Sequence, residues 1–96
     1  MNTLTAENAY QMILNGCKSP EVLEVVAKHP MHAYFYALDV VNGRWPEGEK
    51  AIATYSVSAY LYACNIVKGR WPEGEDAIAT DPETEKEYNQ FLENLL

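Results

Sequence analysis

The sequence predicts an all-α protein: a short array of helix-turn-helix repeats, about seven helices in all, stacked in a solenoid-like manner. Three observations predict it. Residues 33–54 and 59–80 are identical at 16 of 22 aligned positions, a period of 26 residues. Glycine and proline punctuate each copy where a helix would stop and the next would start. The apolar residues between them recur at helical spacing. A worn third copy lies upstream: Ala6–Gly16 matches Ala33–Gly43, and Pro20–Ala27 matches Pro46–Ala53, with Cys17-Lys18-Ser19 replacing the Arg44-Trp45 pair. The 96 residues then divide into units at about 5–30, 31–55 and 56–81, with a capping helix at 82–96, all in one domain.

Helices are expected at about 5–15, 20–29, 31–42, 46–54, 56–68, 72–80 and 82–95. Each long helix is expected to end at Gly16, Gly43 or Gly69, the residue type favoured just past a helix C-terminus. Each short helix starts at a proline, which suits the first helical turn and pushes the residue before it towards extended geometry. Trp45 and Trp71 therefore sit at N-caps. Glu47 and Glu73 follow in the first turn, where the helix dipole favours negative charge. Ser19, Ser56 and Asp81 are expected to cap their helices, and Pro30 and Pro82 separate successive units. Tyr34-Phe35-Tyr36 and Tyr60-Leu61-Tyr62 have strand-like composition. They lie, however, inside runs with alanine at spacing three, bounded by helix-stop and helix-start residues.

The long helices are apolar over most of their circumference, as a helix buried between neighbours requires. Ala37 and Ala63 would allow close approach, and the tyrosine hydroxyls are expected to reach the edge of the core. One stripe differs: His32, Phe35, Asp39 and Asn42, repeated as Ser58, Leu61, Asn65 and Lys68. It is mostly polar and is expected to face solvent. Phe35 and Leu61 then either tuck beneath a neighbouring loop or, with Asp39 and Asn65, form contact points for a partner.

The repeated Arg-Trp-Pro-Glu-Gly-Glu string allows two readings. In the structural one, Trp45 covers the start of the short helix, Gly48 leaves room for the indole, and Arg44 stacks on it or pairs with Glu47 or Glu49. A glycine inside a helix costs roughly 1 kcal/mol relative to alanine, so it calls for a packing reason. In the functional one, Arg44, Arg70, Trp45 and Trp71 are surface anchors for a partner, residue types that interfaces favour.

No catalytic, metal or cofactor site is expected. The acidic run Glu73 to Glu83 lacks the order of a calcium loop. His29 and His32 are assigned to different elements by Pro30 and are too few for a zinc site. Cys17 and Cys64 have no Cys-x-x-Cys partner, and Cys64 is read as a small buried hydrophobe. No phosphate loop, nucleophile elbow or metalloprotease motif is present. The formal net charge is −7 from 14 acidic and 7 basic side chains. That balance argues against direct binding to nucleic acid, which needs clustered Lys and Arg. Mimicry of DNA is an alternative, but residues 43–96 interrupt 10 acids with 5 bases. The longest apolar runs, of about six residues, are too short to cross a membrane. The first residues lack the basic and apolar stretches of a secretory leader, so a cytoplasmic protein is expected.

The unit Ala-Tyr-x-Tyr-Ala-x-x-Val-hydrophobic-x-Gly-Arg-Trp-Pro-Glu-Gly/Ala-Glu-x-x-Ile resembles the tandem repeat of small helical proteins found mainly in bacteriophage genomes. The chain carries it at Ala33–Ile52 and Ala59–Ile78, and a worn form at Ala6–Val26. The resemblance implies a helical repeat fold and a phage origin. Small phage proteins without catalytic motifs often bind and block host proteins. The expected function is therefore non-enzymatic: a protein–protein interaction module acting on a host factor, such as a component of an anti-phage defence system. The alternatives are a self-assembling accessory protein, for example a homodimer, and an acidic DNA mimic that blocks a DNA-binding protein.

Overall fold

A computed structural model describes residues 4–95. Those residues form seven α-helices and no strand: α1 (Ala6–Leu14), α2 (Pro20–Ala27), α3 (Pro30–Tyr36), α4 (Pro46–Ile52), α5 (Ser56–Tyr62), α6 (Pro72–Ala79) and α7 (Pro82–Asn94). The all-helical expectation holds, and the elements of the two strong copies fall at corresponding positions. Thr5, Ser19 and Asp81 accept backbone N–H bonds as side-chain N-caps of α1, α2 and α7. Ser56 does not cap: Tyr55 is the N-cap of α5, and Ser56 is its buried first residue.

The ends of the long helices also depart from expectation. Both α3 and α5 run on into a π-helical turn, Ala37–Val41 and Ala63–Val67. The carbonyl of Ala63 there accepts from the amides of both Lys68 (2.7 Å) and Gly69 (3.2 Å), and Ala37 serves Asn42 and Gly43 in the same way. The left-handed residue that stops the helix is therefore Asn42 or Lys68, each at φ 60°, rather than the glycine that follows. Only Gly16 takes the positive φ expected of the glycine position.

Each long helix pairs with the short helix after it, as α1 with α2, α3 with α4 and α5 with α6. The long helices α1, α3, α5 and α7 are neighbours in chain order, and α2 lies against α4. The body measures 47 × 24 × 16 Å. Its radius of gyration is 14.0 Å, above the roughly 12.5 Å of a compact domain of this length. The core runs along the seam between the layers, through Ile13, Val26, Ala33, Trp45, Ile52, Tyr62, Trp71, Ile78 and Tyr88. No helix among the described residues is long and apolar enough to cross a membrane.

Candidate functional site

The Arg-Trp-Pro-Glu-Gly-Glu string is built into the core. Proline holds the start of α4, so the Trp45 N–H points away from the helix and needs an acceptor. The acceptor is the hydroxyl of Tyr62, 26 residues further on than its counterpart Tyr36 (Trp45 N to Tyr62 Oη, 2.9 Å). That hydroxyl in turn donates to Glu49 Oε2 at 2.7 Å. Arg44 closes the set with two bonds to Glu49, from Nε at 2.8 Å and from Nη2 at 3.1 Å. The same arrangement recurs one period later. Tyr88 accepts from the Trp71 N–H (3.0 Å) and donates to Glu75 (2.8 Å), and Arg70 binds Glu75 through two nitrogens. Each string is thus tied to a tyrosine of the following long helix.

The electrostatics follow from this geometry. Arg44 holds the Glu49 carboxyl below its usual range; burial opposes this and the Tyr62 hydroxyl supports it. Burial, reinforced by the Glu49 carboxylate, pushes the Tyr62 phenol up to about 12. The indoles take the remaining space. Tyr36 lies 4.3 Å from Trp45 between ring centroids, and Tyr62 lies 4.7 Å from Trp71. A Cβ on Gly48 would stand 2.5 Å from Trp45 Cε3 and 3.1 Å from the Ala33 Cβ, so this helical glycine has its packing reason; Gly74 repeats it against Trp71 and Ala59.

The residues expected to form a partner surface are distributed differently. Trp45 and Trp71 are 7% and 1% exposed and belong to the core, so neither is a surface anchor. Arg44 and Arg70 pair with Glu49 and Glu75 and stay on the surface, with 49% and 70% of their side chains exposed. The polar stripe faces solvent as expected at Asp39, Asn42, Asn65 and Lys68, which are exposed; Ser58 is the exception. Ser58 is fully buried and bonds the Ile52 carbonyl. Asp39 accepts from the Tyr10 hydroxyl at 3.1 Å, and Asn65 donates to the Tyr34 hydroxyl at 2.8 Å. Leu61 is half-buried against the core. Phe35 is the exposed large apolar member of the stripe, at 37%, in an aromatic patch with Tyr10, His32 and Tyr34. His29 is the N-cap of α3 and His32 lies within that helix, and their rings meet edge to face at 6.1 Å. Cys64 is half-buried rather than part of the core, and burial pushes its thiol up, away from the reactive thiolate. Among the described residues, no three His, Cys, Asp or Glu side chains converge as a metal-binding group.

A site that the sequence did not reveal lies on the short-helix layer. Between α2 and α4 runs an open groove of about 740 Å³. It is lined by the apolar side chains of Leu23, Ala27 and Ala51, by Trp45, and by the charged side chains of Glu24 and Lys28 on α2 and Glu47 and Lys50 on α4. The available signal was the loss of symmetry between copies. Leu23 stands where the next copy has Glu49, and Lys18-Ser19 stands where it has Arg44-Trp45.

Comparison of the chain with protein-family models, with curated proteins and with solved structures returns no match.

Proposed function

We propose that the chain is a solenoid-like helical-repeat array of period 26 that binds another protein and performs no chemistry of its own. The α2–α4 groove carries this reading. A surface that combines apolar with charged side chains is the anatomy of a protein-binding site, and this groove is lined by both. Its volume also falls in the range of sites that hold a ligand or an anchoring side chain. The resemblance to small bacteriophage repeat proteins favours a phage origin and a host protein as partner, inhibited or redirected by occupation, with anti-phage defence factors the leading class. The dense pairing of the repeat string supports assigning it to the fold rather than to the partner.

The test is affinity capture from a bacterial host lysate with the wild-type protein and with Ala51→Arg, which places a long cation in the groove. A host protein retained by the wild type and lost by the folded variant is the expected result. No retained protein, or retention unaffected by Ala51→Arg, would contradict the reading.

A further inference from the structure

The two inter-copy spaces on the short-helix layer offer an internal comparison. At the second, between α4 and α6, the chain supplies its own cation: Arg44 reaches from the start of α4 to Glu73 at the start of α6, Nη2 to Oε2 3.7 Å. The tryptophan there is 1% exposed. At the first space the counterpart of Glu73 is Glu47, and the counterpart of Arg44 is Lys18. Among the described residues no ion pair reaches Glu47, Lys50 or Lys18. On α2, Glu24 and Lys28 already satisfy each other at 3.1 Å. The groove is thus left with one unpaired carboxylate and one unpaired ammonium group, three residues apart on α4, beside its apolar lining.

From this we infer that the occupant is an amphipathic α-helix of a partner protein. Its apolar stripe covers Leu23, Ala27 and Ala51. An arginine on one flank meets Glu47, in the role that Arg44 plays for Glu73, and a carboxylate one turn away meets Lys50. Residues one turn apart share a helix face, so a single helix can present both charges. Helix-in-groove binding of this kind is read through anchors at i, i+3 or i+4. The inference rests on the protein-binding reading and names the chemistry of the partner.

The probe is a displayed library of helical peptides, about 16 residues long, with leucine or phenylalanine at two positions one turn apart and all flanks randomised. Selection is on the intact protein. Enriched peptides should carry a basic residue on one flank and an acidic one a turn away. A representative should bind Glu47→Arg about tenfold more weakly, and its Arg→Glu counterpart should recover that loss on Glu47→Arg. Thermal melts confirm that the variant is folded. Enrichment without the basic flank, equal binding to Glu47→Arg, or no enrichment would overturn the inference. The parent reading fails separately, when the wild type retains no host protein. A host protein that Ala51→Arg releases but Glu47→Arg still holds keeps the groove and overturns the charge assignment.

Discussion

The Tyr62 hydroxyl is fully buried, accepts from Trp45 and donates to Glu49. Tyr62→Phe therefore strands a buried N–H and removes a donor from a carboxylate. The expected cost is about 1–3 kcal/mol in urea unfolding. Tyr36→Phe, which breaks no such pair, should stay within about 0.5 kcal/mol. The same hydroxyl sets an alkaline limit. An unfolded phenol ionises near 10.0 and the folded Tyr62 near 12, so the unfolded chain releases its proton first. Stability from this group is complete below pH 10 and falls as pH rises from 10 to 12. Tyr62→Phe should flatten that fall, and Tyr10, also raised to about 12, should leave a residual slope. Gly48 is a second residue whose substitution has a defined sign. Alanine there gains about 1 kcal/mol of helix propensity. It also drives a methyl into the indole and into Ala33, at a cost of about 1–3 kcal/mol. Net destabilisation is expected, measured as a lower urea midpoint.

At the scale of elements, the helix ends separate what was legible in the sequence from what was not. Proline at the start of five helices and the period of 26 placed every short helix within a few residues. The glycines misled, because a π-helical turn moves the left-handed residue one position earlier, to Asn42 and Lys68. Asparagine tolerates that conformation and lysine is strained in it. Lys68→Asn should accordingly stabilise the fold by about 0.5–1 kcal/mol in thermal or urea unfolding. The collision between Gly48 and the indole was readable because both partners lie within one turn. The Tyr62–Trp45 tie was not, since it joins residues 17 apart on different elements. The polar stripe was legible as a solvent face, since Asp39 and Asn65 are exposed. Their bonds to Tyr10 and Tyr34 of the preceding long helix were not, because the partners lie 29 and 31 residues away in sequence. The α2–α4 groove left only an indirect trace, a break in the repeat at Leu23 and Lys18.

For the whole molecule, four of the 14 acidic side chains, Glu24, Glu49, Glu73 and Glu75, lie in ion pairs among the described residues. Paired carboxylates of this kind make a poor imitation of a phosphate row. The far end of the array is polar as well. Positions that hold Tyr34, Leu38 and Val41, then Tyr60, Cys64 and Val67, become Lys86, Gln90 and Glu93 on α7. These three line the outer side of that helix. That polar face offers a second copy little apolar surface to bury. Light scattering at two concentrations should therefore report a monomer; a mass that doubles with concentration would show that copies pair. The claim on which the rest depends is that the repeated tryptophan string holds successive helices together. Trp45→Ala tests it most directly, by far-UV circular dichroism followed through urea unfolding. Removal of a buried indole costs about 3–5 kcal/mol, against a total stability of about 5–15 kcal/mol for a domain. The expected result is loss of most or all of the cooperative transition. A helical monomer with a wild-type urea midpoint would contradict it and return the tryptophan to the surface role that its repetition first suggests.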